Sequence, residues 1–188
     1  MPVTQLDPKT ALVIVDFQEG TRHFVGAAAP VVYAAAGTLA AAFRAHGLPV
    51  VLANIKSGPV GRSDVAPAGG AFAMPAAGLA FVAELGQQPT DVVITKNTWG
   101  AFASTDLDAR LRGLGVTQLV VCGTAASIGV ESTARQAFEA GFNVTIALDA
   151  VVDFNPDAHT NSLTRIFPLL AETGSVADIV ALLNQRHA

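Results

Sequence analysis

The sequence predicts an α/β fold, a three-layer α/β/α sandwich with a parallel, doubly wound, Rossmann-like sheet. Short, continuous apolar runs alternate with helical segments along the 188-residue chain. Strands that are apolar on both faces are typical of parallel sheets, which lie between two layers of helices. No internal repeat or linker divides the chain, so residues 1–188 are expected to form a single domain.

The individual elements follow from these patterns. Strands are predicted at residues 11–15, 48–55, 91–95, 118–123 and 143–148. Helices are predicted at residues 29–47, 104–115, 127–141, 157–170 and 176–185. The last helix begins with the capping pattern Ser175 to Asp178. Residues 57–75 are rich in Gly, Pro and Ala and are expected to form a long ordered loop or lid.

Composition and charge exclude several classes of partner. The net charge is −4 and the Lys and Arg residues are scattered, so no nucleic acid is expected to bind. The longest apolar stretch is interrupted by Pro30 and Gly37, so no membrane span is expected. The N-terminus lacks a charged-then-apolar leader, and a single cysteine excludes an internal disulfide. These features favour a cytoplasmic protein.

Charged residues follow two of the predicted strands. Asp16 comes directly after ALVIV, and Lys96 comes directly after DVVIT. Since parallel sheets bind ligands beyond the carboxyl ends of their strands, the two residues at the ends of two central strands are expected to share one pocket. A nearby cation lowers the pKa of an Asp, whereas burial raises it. The same two residues also fit a purely structural ion pair, and both interpretations stay open.

Four segments resemble the isochorismatase-like hydrolase superfamily, which includes nicotinamidases and other amide-cleaving cysteine hydrolases. They are VIVDFQ, TKNTWGAF, TDLDARLRGLGV and VVCGTAASIGVESTARQAFEAGFNVTIALDA. The resemblance implies a three-layer α/β/α domain with Asp16 and Lys96 as catalytic residues, and a small-molecule substrate. It also implies a homo-oligomer. No cofactor is expected, because the chain has neither a GxGxxG nor a GxxxxGK[ST] phosphate-binding motif.

The resemblance also locates the nucleophile slot. In the amidase branch, a Cys opens the helix after the fourth strand, and Gly129 stands at that position here. Ala125, Ala126, Ile128 and Gly129 then form the nucleophile-slot and oxyanion turn, with a cis peptide expected between Ala125 and Ala126. Glycine has no atom that attacks a carbonyl, so cysteine-dependent amide hydrolysis is not expected at this slot.

Isochorismatases themselves carry Gly at this slot, in a segment that resembles A-H-I-G; the segment here reads A-S-I-G, with Ser127 in place of the His. They cleave a vinyl ether by proton transfer and attack of water. The sequence therefore predicts a hydrolase without a Cys nucleophile, with Asp16 as general acid/base and Lys96 as electrostatic partner. The alternative is an amide-hydrolase relative that has lost its Cys and acts as a small-molecule binding protein. A third hypothesis uses Cys122, although a Cys in an apolar run is usually buried.

Candidate substrate contacts lie around these residues. Phe24 and Trp99 are expected to form apolar walls of the pocket. Arg62, in the lid segment, is a candidate for gripping a substrate carboxylate, and the alternative is a solvated side chain. Ser127 is expected to cap the turn or to bind substrate. No metal is expected, because the segment that carries zinc ligands in some relatives, LANIKSGPVGRSD here, has no histidine.

Overall fold

Six parallel strands form one sheet at the centre of the protein. The computed structural model describes residues 2–64 and 72–185, and the strand order is β3-β2-β1-β4-β5-β6. The strands are β1 Thr10–Val15, β2 Val50–Ile55, β3 Val92–Lys96, β4 Gln118–Thr124, β5 Asn143–Val152 and β6 Glu172–Gly174. Every residue of β1, β2 and β4 is buried, as expected for central strands. The predicted parallel sheet is confirmed.

β6 was not predicted from the sequence, and the predicted strand at residues 143–148 is shorter than the observed β5. β6 has three residues, E-T-G, without an apolar run, and it becomes a strand because it pairs with residues 145–147 of β5. β5 continues past residue 148, where Val151 and Val152 pair with the end of β4. Both differences arise from pairing across the sheet, which local composition does not report.

Helices cover both faces of the sheet. They are α1 Arg22–Val25, α2 Ala29–Ala45, α3 Leu107–Gly113, α4 Glu131–Glu139, α5 Pro156–Asn161, α6 Phe167–Leu170 and α7 Val176–Asn184. A wider π-helical turn, Ala126–Val130, precedes α4, and a second one, Ser162–Ile166, joins α5 to α6. α2 packs on α7, and α4 packs on α6. These two pairs of helices and the sheet between them form the predicted three layers.

The predicted cap of the last helix is present. The Ser175 hydroxyl accepts a hydrogen bond from the backbone N–H of Asp178, and the Asp178 carboxylate accepts one from the N–H of Ser175. This reciprocal arrangement satisfies two N–H groups that the helix leaves without partners.

One helical stretch, Glu19–Ala45, is long and apolar enough to cross a membrane by length and composition alone. It contains α1, α2 and two short 3₁₀ turns, and it starts earlier than the predicted helix at residue 29. The side chains of Tyr33, Leu39 and Phe43 are fully buried in the protein core. A core helix meets the same criteria, so the expectation of no membrane span stays a prediction.

The long loop after β2 is anchored at both ends. Ser57 forms a bridge with Ala73, and the N–H of Met74 donates to the carbonyl oxygen of Lys56 at 2.8 Å. Residues 65–71, the central part of the predicted lid at residues 57–75, lie outside the described residues.

Gly123 allows β1 and β4 to approach closely at their carboxyl ends. It pairs with Val15 and has a φ of 131°, in a region that favours glycine. A Cβ atom at this position would overlap the backbone carbonyl oxygen of Val15. The close approach of the two strand ends therefore requires glycine.

Replacing Gly123 by Ala is expected to lower the free energy of unfolding by about 2–4 kcal/mol, since the Cβ atom adds both overlap and backbone strain. Urea unfolding measures the change. Gly113→Ala is the matched control, because a Cβ atom there meets nothing within 4 Å. Equal stability of the two variants would contradict the close approach.

Candidate active site

The site lies where the sheet changes its direction of winding. β2 and β3 extend the sheet on one side of β1, and β4, β5 and β6 extend it on the other. Loops that leave the carboxyl ends of two strands at such a point diverge and open a crevice for ligands. Asp16 directly follows β1, and the π-helical turn follows β4 after a single residue. The residues predicted for the site therefore meet at this crevice.

A buried ion pair joins Asp16 to Lys96. Nζ of Lys96 donates to Oδ2 of Asp16 at 2.8 Å and to the carbonyl oxygen of Thr98 at 3.1 Å. The Lys96 side chain is fully buried, and that of Asp16 is 8% exposed. Lys96 ends the edge strand β3, so the expectation that both residues end central strands was wrong for Lys96. β2 separates β3 from β1, and the long lysine side chain spans that distance.

Burial controls the protonation of this pair. Desolvation raises the pKa of Asp16 to about 6, and the charge and hydrogen bond of Lys96 oppose that rise only in part. Desolvation also lowers the pKa of Lys96, against the attraction of Asp16. Oδ1 of Asp16 is buried without a hydrogen-bond partner among the residues described. A carboxyl group that titrates near neutrality and has an unused oxygen is suited to proton transfer.

The backbone of Asp16 is held in an unusual conformation. Its φ is 57°, in the left-handed region that Asp tolerates better than most residues. The N–H of Asp16 donates to the carbonyl oxygen of Ala53 at 2.8 Å, and the Thr21 hydroxyl donates to the carbonyl oxygen of Asp16 at 2.5 Å. These bonds turn the chain at the end of β1, and sequence reasoning did not identify the role of Thr21.

Gln18 ties the site to the neighbouring strand. Its amide nitrogen donates to the carbonyl oxygens of Ile55 and Gly78, at 3.1 and 2.8 Å. Its amide oxygen accepts from the N–H of Ile55 at 2.6 Å. Sequence reasoning missed this residue, although its place two residues after Asp16 in VIVDFQ was a usable signal. The side chain holds the end of β2 and the loop at Gly78 against the site.

Gly129 leaves almost no room for a side chain. A Cβ atom there would lie 2.9 Å from the carbonyl oxygen of Thr124, 3.0 Å from Oδ2 of Asp16 and 3.1 Å from Cγ1 of Val15. Real Cβ atoms essentially never approach other atoms more closely than 3.0 Å. The backbone of this turn is therefore built around a glycine, and the space that a side chain would fill adjoins the Asp16 carboxylate.

Several N–H groups of the turn are already used within the protein. Those of Ile128 and Val130 both donate to the carbonyl oxygen of Ala125 at 3.1 Å. The N–H of Ile128 therefore has a backbone partner, and the assignment of Ile128 to an oxyanion turn stays a prediction. The cis peptide lies between Thr124 and Ala125, one residue before the predicted bond.

A cavity of about 240 Å³ opens beside Asp16. Aromatic side chains line much of it, namely Phe24, Phe72, Trp99 and Phe154. Aliphatic and backbone groups complete the apolar lining, from Ile55, Ala125, Ile128 and Gly129. Asp16, Thr21 and Thr124 supply its polar atoms. The structure thus brings Asp16, Phe24, Trp99, Ala125, Ile128 and Gly129 to one cavity, whereas Phe72 and Phe154 were missed because they lie far from the motifs in sequence.

Other predicted residues lie elsewhere. The N–H and hydroxyl of Ser127 both donate to Oδ2 of Asp153, at 2.8 and 2.7 Å. The prediction that Ser127 binds substrate is wrong, because its donors are used by Asp153 and it does not line the cavity. Arg62 is exposed and does not line the cavity. Ala126 and Lys96 are fully buried and do not line it either.

Cys122 is excluded as a nucleophile. It lies within β4, its side chain is fully buried, and burial raises the pKa of its thiol far above neutrality. A thiol that stays protonated is a poor nucleophile. Among the described residues, no group of three or more His, Cys, Asp or Glu side chains is arranged to hold a metal ion. The prediction of a metal-independent site stays a prediction.

Comparison with known proteins agrees with this geometry. The model of the isochorismatase domain matches residues 10–178. The chain belongs to the isochorismatase-like hydrolase family. The isochorismatase family protein YecD of Escherichia coli O157:H7 is 41% identical over 180 residues, which cover 93% of this chain and 96% of YecD.

Solved structures of isochorismatase-like hydrolases superpose on the chain. An isochorismatase family protein from Burkholderia thailandensis is 40% identical, with a TM-score of 0.87 over 96% of this chain and 98% of its own. The N-carbamoylsarcosine amidase from Thermoplasma acidophilum is 26% identical, with a TM-score of 0.73 over 89% of this chain and 96% of its own. The fold is therefore shared with an enzyme named for the cleavage of an amide.

Lys96→Met is expected to lower the free energy of unfolding by about 3 kcal/mol or more at pH 8, because it leaves Asp16 buried without its cation. Asp16→Asn combined with Lys96→Met is expected to recover a large part of that loss, since no buried charge remains. Urea unfolding of the two single variants and the double variant measures the coupling. Additive effects would show that the two side chains do not stabilise each other.

Proposed function

We propose that this isochorismatase-like hydrolase cleaves a small molecule without a cysteine nucleophile. Asp16 is the general acid/base, and Lys96 is its electrostatic partner. The observation that carries the proposal is the buried Asp16–Lys96 pair beside the cavity, with Gly129 next to the Asp16 carboxylate. Hydrolysis by proton transfer and attack of water needs no covalent nucleophile.

Vinyl-ether cleavage is the reaction that suits these groups best. Protonated Asp16 gives its proton to the terminal vinyl carbon, and the electrons of the C=C bond form the new C–H bond. The oxocarbenium ion that results is attacked by water, and the proton that water loses returns to the Asp16 carboxylate. The hemiketal adduct then breaks its C–O bond while its hydroxyl proton passes to the leaving oxygen, which yields a carbonyl compound and an alcohol. One water molecule is consumed, and Asp16 regains its starting state.

Lys96 acts on Asp16 and not on the substrate, since it is fully buried and does not line the cavity. Its hydrogen bond occupies Oδ2 and leaves Oδ1 without a hydrogen-bond partner among the described residues. Its charge also limits the rise of the Asp16 pKa that burial causes. Both protonation states of Asp16 are then accessible near pH 6, as a group that gives and regains a proton requires.

The alternative function is a small-molecule binding protein that descends from amide hydrolases. The tight packing around Gly129 favours it, because a side chain at this slot does not fit the present backbone. The cavity would then bind its ligand without converting it. The buried Asp16–Lys96 pair favours the enzyme, because its pKa values suit proton exchange and a merely apolar site has no need of a buried charge pair.

Asp16→Asn is expected to lower kcat/KM by about 10²-fold or more, since it removes the group that transfers the proton. The measurement is product release from a panel of vinyl ethers, esters and amides, isochorismate with its release of pyruvate included. Asp106→Asn is the control, because this Asp forms an exposed ion pair with Arg110 away from the cavity.

Two results would contradict the proposal. Equal turnover by the wild type and Asp16→Asn would remove Asp16 from the chemistry. Ligand binding without turnover of any compound in the panel would favour the binding protein.

The pH profile of vinyl-ether cleavage is expected to report Asp16. Burial raises the pKa of Asp16 to about 6, and the protonated carboxyl is the reactive form. We expect kcat/KM to be constant below pH 6 and to fall by about tenfold per pH unit above it. The rate of Asp16→Asn, subtracted at each pH, removes uncatalysed acid hydrolysis. A rate that rises through pH 6 would instead make the carboxylate the reactive form, and Asp16 a general base.

A further inference from the structure

Four exposed aromatic side chains surround the opening of the cavity. They are Phe24, Phe72, Trp99 and Phe154, with exposed fractions of 49, 49, 51 and 54%; we call them the aromatic rim. The rings of Phe24 and Phe154 lie 5.8 Å apart, and the His23 ring lies 3.8 Å from that of Phe24. Exposed aromatic groups that cluster at a concave site mark a place where an apolar partner binds.

An apolar groove of about 650 Å³ continues from this opening. It shares Thr21, Phe24 and Phe72 with the cavity, and Met74 and Pro75 extend its apolar wall. The two spaces are therefore contiguous at the aromatic rim. A molecule that presents its reacting group to Asp16 has an apolar surface on which the rest of its skeleton can lie.

The charges around the cavity are unfavourable for an anion. Asp16 is the one ionisable side chain among the described residues that line the cavity, and Lys96 is already bound to it. Glu19 and His23 are the ionisable side chains that line the groove, and Glu19 is paired with Arg22 at 2.9 Å. By sequence, residues 65–71 include no charged side chain. A carboxylate in the cavity would lose its hydration without gaining a cation, which is costly.

Resting on the proposed function, we propose that the cavity and the groove together bind an uncharged, largely apolar substrate. Its hydrolysable polar group meets the carboxyl group of Asp16, which lines the cavity. Its apolar part, a ring or a short hydrocarbon chain, lies against the aromatic rim. Dicarboxylates such as isochorismate are then excluded by charge, and an uncharged vinyl ether, ester or amide is selected.

The single tryptophan of the chain offers a direct readout. Trp99 belongs to the aromatic rim, and the sequence has no other Trp. Its intrinsic fluorescence therefore reports binding at the cavity independently of any turnover. The probes are 3-phenylpropionamide and 3-phenylpropionate, which share a skeleton and differ in charge. Titration calorimetry of the same pair provides a second measurement that does not depend on Trp99.

We expect the amide to bind with a Kd about tenfold or more below that of the carboxylate, because only the carboxylate must lose charge hydration. Phe24→Ala is expected to weaken amide binding by about fivefold or more, since it removes a ring of the wall. Phe138→Ala is the matched control. Phe138 is 52% exposed but lines a different pocket, beside Asn143 at the start of β5, so its truncation leaves amide binding unchanged.

Three outcomes would overturn the inference. Equal or tighter binding of the carboxylate, lost in Arg62→Ala, would show that Arg62 reaches the site and selects anions. Equal loss of amide binding in Phe24→Ala and Phe138→Ala would remove the aromatic rim as the binding surface. Binding of neither probe, with a change of oligomeric state in Phe24→Ala, would show that a second copy of the chain covers the rim.

Asp16→Asn separates this inference from the proposed function. Amide binding that persists in Asp16→Asn, with no turnover of any compound by the wild type, supports the uncharged ligand and contradicts the hydrolase. Turnover of isochorismate by the wild type, abolished in Asp16→Asn, supports the hydrolase and contradicts the uncharged substrate.

Discussion

The buried ion pair between Asp16 and Lys96 is the interaction on which the rest of the site depends. Both charges are withdrawn from water, which is tolerated because they bond to each other and the ammonium also bonds to the Thr98 carbonyl oxygen. The pair also crosses the end of β2, so it fixes the relative positions of β1 and β3 at the carboxyl edge of the sheet. The geometry of the candidate site and its local stability therefore depend on the same two side chains.

Two glycines make room for this pair at the crevice. Gly123 lets β4 approach the end of β1, and Gly129 lets the following turn approach the Asp16 carboxylate. A Cβ atom at the second position would lie 2.9–3.1 Å from three neighbouring atoms, so a side chain there would have to displace them. The packing at both positions therefore fits glycine, in the proposed hydrolase and in the alternative binding protein alike.

The cavity joins a single ionisable group to an apolar surface. Water is excluded from the Asp16–Lys96 pair, so burial raises the pKa of Asp16 to about 6 and keeps its proton available near neutrality. The aromatic rim continues that apolar environment to the surface. In the proposed function, the desolvation that raises the pKa of Asp16 would also disfavour a charged substrate.

The sequence by itself determined the parallel sheet, because buried strands are continuously apolar, and it located Asp16, Lys96 and Gly129 through motifs that are local in the chain. The tertiary structure decided the contacts between residues that are distant in the sequence. It placed β6 by pairing with β5, turned Ser127 towards Asp153 and left Arg62 outside the cavity. It also brought Phe72 and Phe154 to the site from separate loops. Side-chain direction and contacts between distant loops depend on packing, which no local pattern encodes.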